Sequence, residues 1–303
     1  MTTTKPINRI ALIGFGEAGG ILAAELARTG AQVTMYDILL RAEPARTAML
    51  NKAANANVRA CESLADAVRD AEVMISAVTC SAAQDVAKES AAALKAGQIH
   101  LDINSLSPDA KREMSERVDA AGADFVEAAV MAPVPPQRLR VPMLLGGKRA
   151  AELAPRLQAL GMDAKAVSER IGVASAIKMC RSVVVKGLEA LVTESMFAAR
   201  HYGAEDAVLA SLAASYPGMG WDAKLPDYVI SRVAEHGKRR AAEMREVGET
   251  LAAAGLEPLM ALATAGRQDW LVQEMAEHNI KYDHSKPFSW RELVDALTKV
   301  SAA

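Results

Sequence analysis

From Arg9 to about Lys165, short β-branched apolar runs alternate with alanine-rich stretches of helical periodicity. Such alternation places helices on both faces of a largely parallel sheet. The predicted strands are Ile10–Gly14, Gln32–Asp37, Val73–Val78, Gln98–Asp102, Asp124–Val130 and Met143–Leu145. After Ile171 the period changes. Long alanine-rich helical segments follow, punctuated by Gly203, by Tyr216-Pro217-Gly218, by Pro226 and by Gly255, and strands vanish from the pattern. Ser289-Trp290-Arg291-Glu292 has the spacing of a capping box, so it predicts the start of a last helix. The expected architecture is an α/β domain over residues 1–168, built on a doubly wound, mostly parallel sheet. An all-α domain over residues 169–303 follows. The junction near 165–172 is expected to pass directly into a helix reaching about Arg200.

Composition sharpens this picture by exclusion. The chain has 303 residues, 51% of them hydrophobic, 24% charged and few aromatic, which describes a soluble globular protein of two domains. Thirty-five basic against 37 acidic residues leave a formal charge of −2. That balance gives no whole-chain attraction to nucleic acid or to an anionic membrane, so a small-molecule partner is expected. Cys61, Cys80 and Cys180 are odd in number and in no metal-ligand spacing. This predicts a reducing compartment, buried thiols, and neither a disulfide framework nor a metal site. From the short polar start, Met1 to Asn8, no cleavable signal is expected, and no apolar run approaches the roughly 20 residues that span a bilayer. A cytoplasmic location is therefore expected.

Gly14-Phe15-Gly16-Glu17-Ala18-Gly19 follows an apolar strand and opens a helix, the setting in which a G-x-G-x-x-G pattern signifies dinucleotide binding rather than an ordinary glycine-rich turn. Gly14 permits the tight turn, Gly16 lets backbone approach a pyrophosphate, and Gly19 lets helix and strand pack closely. Phe15, Glu17 and Ala18 complete the expected cofactor segment. Asp37 ends the next apolar run, where its carboxylate suits the ribose hydroxyls and repels a 2′-phosphate. NAD is thus expected over NADP, although Arg41 and Arg46 just downstream could reach a phosphate.

The order of motifs resembles the beta-hydroxyacid dehydrogenase superfamily, with its 6-phosphogluconate and 3-hydroxyisobutyrate dehydrogenases. The resemblance rests on the glycine turn, on Asp102-Ile103-Asn104-Ser105, on Gly146-Gly147 and on Gly172-Val173-Ala174-Ser175-Ala176-Ile177-Lys178. It covers most of the chain. The family pattern in the last segment is similar to Gly-x-Gly-x-x-x-Lys-x-x-x-Asn, and Gly172, Ala174, Lys178 and Ser182 stand at its positions, two of the four matching. Ser175-Ala176-Ile177-Lys178-Met179 with Lys186-Gly187-Leu188-Glu189 further resembles a less characterised branch with its own C-terminal domain type. The resemblance implies a Rossmann domain followed by a helical domain that pairs in a homodimer. It also implies that Ala77, Val78, Thr79 and Asn104 line the cofactor and that Ser105 approaches the nicotinamide end.

Chemistry explains a lysine at position 178. Oxidation of an alcohol by hydride loss requires the hydroxyl proton to leave as the carbonyl forms, and a lysine amine partly desolvated beside another positive group is suited to take it. Ser182, four residues on, and Ser175, three before, share that helical face and are expected to touch the substrate or orient the amine. Lys186 and Glu189 continue the helix and are equally explained as a surface pair at i,i+3 spacing. Where relatives carry a Ser-Gly-Gly-like substrate loop, this chain reads Val130-Met131-Ala132-Pro133-Val134-Pro135-Pro136-Gln137. Met131 and Ala132 are expected to line the substrate, but a loop stiffened by three prolines lacks the glycines' close backbone approach. The basic run His236, Lys238, Arg239, Arg240 and Arg245 offers Arg240 or His236 as a ligand for an anionic substrate, or a merely solvated face.

The function expected is NAD-dependent interconversion of a small, anionic hydroxy acid and its oxo acid, with Lys178 as general acid and base. The alternatives are an imine reductase, a class that usually lacks this lysine, and a non-catalytic NAD-binding or sensing protein.

Overall fold

The structure is a computed structural model describing residues 6–221 and 224–300. The chain divides after Lys178 into two compact units. In the first, strands β1 (Arg9–Ile13), β2 (Gln32–Tyr36), β3 (Arg59–Ala60), β4 (Val73–Ser76), β5 (Ile99–Asp102), β6 (Asp124–Val130), β7 (Met143–Gly146) and β8 (Ala164–Ser168) form one sheet. Their order is β3-β2-β1-β4-β5-β6-β7-β8. Helices α1 (Glu17–Arg28), α2 (Ala45–Asn55), α3 (Leu64–Val68), α4 (Cys80–Ala93), α5 (Pro108–Ala120), α6 (Val134–Gln137) and α7 (Ala150–Gln158) connect them. The central strands β4 and β5 are buried at every position, as continuous runs must be when both faces of a parallel sheet are covered.

All strand pairs are parallel except β6 with β7, which is antiparallel. Two of the eight strands were not predicted. β3 has only two residues, too few for any periodicity, and the two alanines in the Ala-Lys-Ala-Val-Ser sequence of β8 resemble the helical stretches around it. β1 and β4 also end one and two residues earlier than predicted, because Gly14 and Ala77–Thr79 turn away from the sheet.

The helix α8 (Val173–His201) runs as predicted from the junction to about Arg200 and carries the chain into the second unit. There α9 (Glu205–Ser215), α10 (Leu225–Ala253), α11 (Leu259–Glu277) and α12 (Trp290–Val300) follow with no strand among the described residues. Pro226 sits in the first turn of α10, where its missing N–H costs nothing. A Cβ at Gly237 would lie 2.9 Å from the Gln268 carbonyl oxygen, so α10 and α11 pack with their backbones close. Ser289 Oγ accepts from the Glu292 amide at 3.4 Å. The reciprocal half of the capping box is replaced, since the Glu292 carboxylate lies 3.5 Å from Lys286 Nζ. Trp290 is buried in the core with Trp221, Val229, Ile230 and Leu271. No helix among the described residues is long and apolar enough to cross a membrane.

Candidate functional site

The strand order reverses between β1 and β4, and at such a switch point the loops leaving the two strands diverge and open a crevice at their C-terminal ends. The glycine turn occupies one side. Gly14 has φ +89°, and a Cβ there would lie 2.4 Å from the Ala77 carbonyl oxygen. A Cβ at Gly19 would lie 2.0 Å from the Gly14 carbonyl oxygen, whereas one at Gly16 would meet nothing within 4 Å. Two glycines are therefore required by close packing inside the protein. The third, exposed between them, leaves open the approach to the start of α1, a helix that no side chain caps. Those first amides have no partner within the helix and suit an anion, so the residues present fit a dinucleotide pyrophosphate.

Asp37 anchors this turn. Its carboxylate accepts from the Phe15 amide at 2.6 Å and from the Leu39 amide at 2.9 Å, and each oxygen keeps a lone pair for a ribose hydroxyl. Phe15 was expected among the cofactor contacts, but its side chain is wholly buried in the core. Only its backbone belongs to the turn. Arg46, a candidate for a 2′-phosphate, is bound to both carboxylate oxygens of Glu62, and Arg41 donates to the Tyr36 hydroxyl at 2.6 Å.

Across the crevice, Ala77 and Val78 lie against Gly14, and Thr79 precedes α4. Asn104 is held from below: its amide nitrogen donates to Ser76 Oγ at 2.8 Å and to the Asp102 carboxylate at 2.7 Å. Because the carboxylate accepts only, these bonds commit both amide hydrogens, and what Asn104 offers a ligand is its acceptor oxygen. Asp102 is in turn paired with Lys111, both wholly buried. Ser105 is half-buried, its carbonyl accepting from Cys80 Sγ at 3.0 Å. Met131 and Ala132 are half-buried, with the Met131 amide donating to Pro142 O at 2.8 Å.

The start of α8 shows an anchor that was not predicted. Glu127, fully buried in β6, accepts from the amides of Gly172 (2.7 Å), Ala174 (3.1 Å) and Ser175 (3.3 Å), and from the Ser175 hydroxyl (2.6 Å). A Cβ on Gly146 would lie 2.5 Å from this carboxylate, so the glycine makes room for it. Ser175, expected to touch the substrate, spends its hydroxyl on this cap. Lys178, half-buried, lies one turn further along the helix. Among the described residues no cluster of histidine, cysteine or carboxylate groups could hold a metal ion.

Comparison with known proteins agrees with this geometry. Residues 9–168 match the NAD binding domain of 6-phosphogluconate dehydrogenase. The chain belongs to that family. Residues 199–279 match a domain of unknown function, DUF1932, so the resemblance to a branch with its own C-terminal domain holds. The fold is similar, with a TM-score of 0.80 and 35% identity, to a conserved hypothetical protein from Sinorhizobium meliloti 1021, covering 98% of this chain and 97% of that one. A protein of Methanothermus fervidus described as uncharacterized is 28% identical over 84% of this chain and 96% of its own length. The mitochondrial 3-hydroxyisobutyrate dehydrogenase of Drosophila melanogaster is 23% identical over 74% of this chain and 68% of its own. The first unit thus has the NAD-binding fold that 6-phosphogluconate and 3-hydroxyisobutyrate dehydrogenases share.

In the helical unit, Ser182 is buried, and the polar side chains beyond it form a network rather than a solvated face. Lys186 Nζ pairs with Glu243 at 2.5 Å, and Arg240 Nε donates to Glu189 at 2.8 Å. The sequence leaves Lys186 and Glu189 open between a surface pair with each other and a place in the site; both are buried, and each finds its partner on α10. Burial pulls the Lys186 ammonium below its usual range, against the opposing pull of Glu243, and pushes the Glu189 carboxyl up, opposed by Arg240. Arg240, expected as an anion ligand, has its guanidinium taken up by Glu189. The cysteines also differ from expectation: Cys61 is buried, its thiol pushed up to about 11 chiefly by burial, but Cys80 is half-buried and Cys180 exposed.

Sequence reading missed Lys52, Lys111 and Glu127. Glu127 left a signal, a carboxylate in the middle of a strand whose residues from Phe125 onward are otherwise apolar; the two lysines left none that separates them from ordinary helix lysines.

Proposed function

We propose that this protein is a cytoplasmic NAD-dependent dehydrogenase that interconverts a small anionic hydroxy acid and its oxo acid, with Lys178 as general acid and base. The observation that carries the reading is the pairing of a glycine turn fitted to a pyrophosphate with a lysine helix clamped at its start by Glu127. When bound, the nicotinamide supplies the hydride acceptor. Lys178 takes the hydroxyl proton as the carbonyl forms and returns it in the reverse direction. Ser182, four residues along the same helix, hydrogen-bonds the substrate or orients the amine. Asn104 accepts a hydrogen bond at the nicotinamide end. Asp37 meets the adenine ribose, which favours NAD over NADP.

A panel of hydroxy acids with NAD, followed by NADH absorbance, tests this. Turnover in the wild type and a loss of about 10²-fold or more in kcat for Lys178→Ala is expected for removal of a general base. Unchanged activity in that variant removes the lysine mechanism. Tight NADH binding without turnover across the panel favours a sensing role instead. The same proposal includes a homodimer formed through the helical unit, supported by Val184 and Leu191, which stand seven residues apart on α8 and are 72% and 58% exposed.

A further inference from the structure

We infer that Lys52, on α2, is a positioning residue of the cofactor site, one that strengthens the grip of the glycine turn on the pyrophosphate from behind. This rests on the dinucleotide reading above and adds a residue that neither the glycine fingerprint nor the family match specifies.

The Lys52 ammonium donates to the carbonyl oxygens of Phe15 at 2.6 Å and of Gly16 at 2.7 Å, and lies 5.0 Å from the centre of the Phe15 ring. The peptide unit that ends in the Phe15 carbonyl begins, on its other side, with the Gly16 N–H; the unit that ends in the Gly16 carbonyl carries the Glu17 N–H. These N–H groups are at the uncapped start of α1. A cation bound to the oxygen end of a peptide polarises it and makes its N–H a stronger donor, as in any chain of cooperative hydrogen bonds. The positive charge also offsets Glu17, which places a carboxylate in the first turn of the same helix, where an anion would otherwise be repelled.

A second, independent observation comes from Gly20. Glycine inside a helix is costlier than alanine, and unlike Gly19 this one is not required by backbone packing. A Cβ at position 20 would lie 2.7 Å from Lys52 Nζ and 2.8 Å from Lys52 Cε, with the next neighbour, the Phe15 carbonyl oxygen, at 3.6 Å. Gly20 is thus the vacancy that the ammonium fills. After Gly19 the sequence gives up helix propensity a second time in the first turn, at Gly20, and what stands there is the lysine. Lys52 is otherwise an exposed residue of α2, so its removal leaves no hole in the core.

The test is the dissociation constant of NADH, read by fluorescence titration of the full chain, with the melting temperature of the ligand-free protein read alongside. Lys52→Met is expected to raise the NADH dissociation constant about tenfold, the scale of one charge-assisted interaction. Lys52→Arg restores most of the affinity, and ADP-ribose, which keeps the pyrophosphate without the nicotinamide, follows the same order. Gly20→Ala displaces the ammonium and weakens binding in the same direction, and the double variant Gly20→Ala/Lys52→Met is no weaker than Lys52→Met alone, since both changes break one interaction. The ligand-free melting temperatures of the two Lys52 variants stay within about 2 °C of wild type, as for surface substitutions. NADH affinity unchanged by Lys52→Met, in a wild type that binds NADH, overturns the inference and leaves the cofactor reading intact. Additive losses in the double variant, or a loss of affinity matched by a large fall in ligand-free stability, overturn it in favour of a purely structural lysine. A wild type that binds neither NADH nor NADPH overturns both.

Discussion

His100 illustrates how a single residue is governed by what surrounds it. It lies wholly buried in β5, with Nδ1 2.8 Å from Ser90 Oγ and its ring 5.1 Å from that of Phe125. Burial, reinforced by the Lys111 charge and only partly opposed by Asp102, pulls its pKa down to about 4 from 6.5. The folded protein therefore resists protonating a group that the unfolded chain protonates readily. The resulting contribution to stability is complete above pH 6.5 and is lost as pH falls towards 4. A shift of this size corresponds to roughly 3 kcal/mol. In thermal denaturation followed across this range, the stability gap between wild type and His100→Gln is expected to narrow on acidification. A gap independent of pH would show that burial does not lower the imidazole's proton affinity in the folded state. Nothing in the sequence around His100 announced this, because its burial depends on the helices that cover β5.

At the scale of elements, α8 owes its starting point to a residue far away in the chain. Glu127 satisfies three amides at its start, those of Gly172, Ala174 and Ser175, from a position 45 to 48 residues earlier, and the carboxylate itself is buried and acceptor-only. Replacing it with alanine removes the cap and strands those amides at the surface of an apolar strand. We expect Glu127→Ala to cost about 3 kcal/mol, within the range for losing a buried, charge-assisted network, measured by urea denaturation. Its activity is expected to fall with its stability as the Lys178 helix loses its anchor. A variant as stable as wild type would mean that the carboxylate's own burial offsets the cap. The elements differ in how legible they were. α8 and α10 were readable to within a residue or two from their alanine-rich period and from Pro226. β3 and β8 were not, one being too short for a period and the other rich in alanine. The antiparallel direction of β7 was equally invisible, since its apolar run is the same in either orientation.

For the molecule as a whole, each unit has its own core: an α/β core centred on Leu12, Met74, Ile75 and Leu101, and a helical one centred on Met196, Ile230, Val233 and Trp290. If the helical unit pairs with a second copy, sedimentation velocity of the wild type gives a dimer, and Val184→Glu with Leu191→Glu shifts it to monomer. A wild type that sediments as a monomer removes the pairing. What the sequence determined by itself is whatever short-range spacing encodes: the alternation that makes a parallel sheet, the glycine turn that closes onto α1, the carboxylate ending β2 and the lysine six residues after Gly172. What only the tertiary structure decided is which charges spend themselves on partners. Glu127 was taken by a helix start, Arg240 by Glu189 and Lys52 by the back of the glycine turn, and Phe15 was drawn into the core. These pairings join residues dozens of positions apart. They follow from where the chain folds back on itself and from the cost of burying a charge alone, and neither is written in a local pattern.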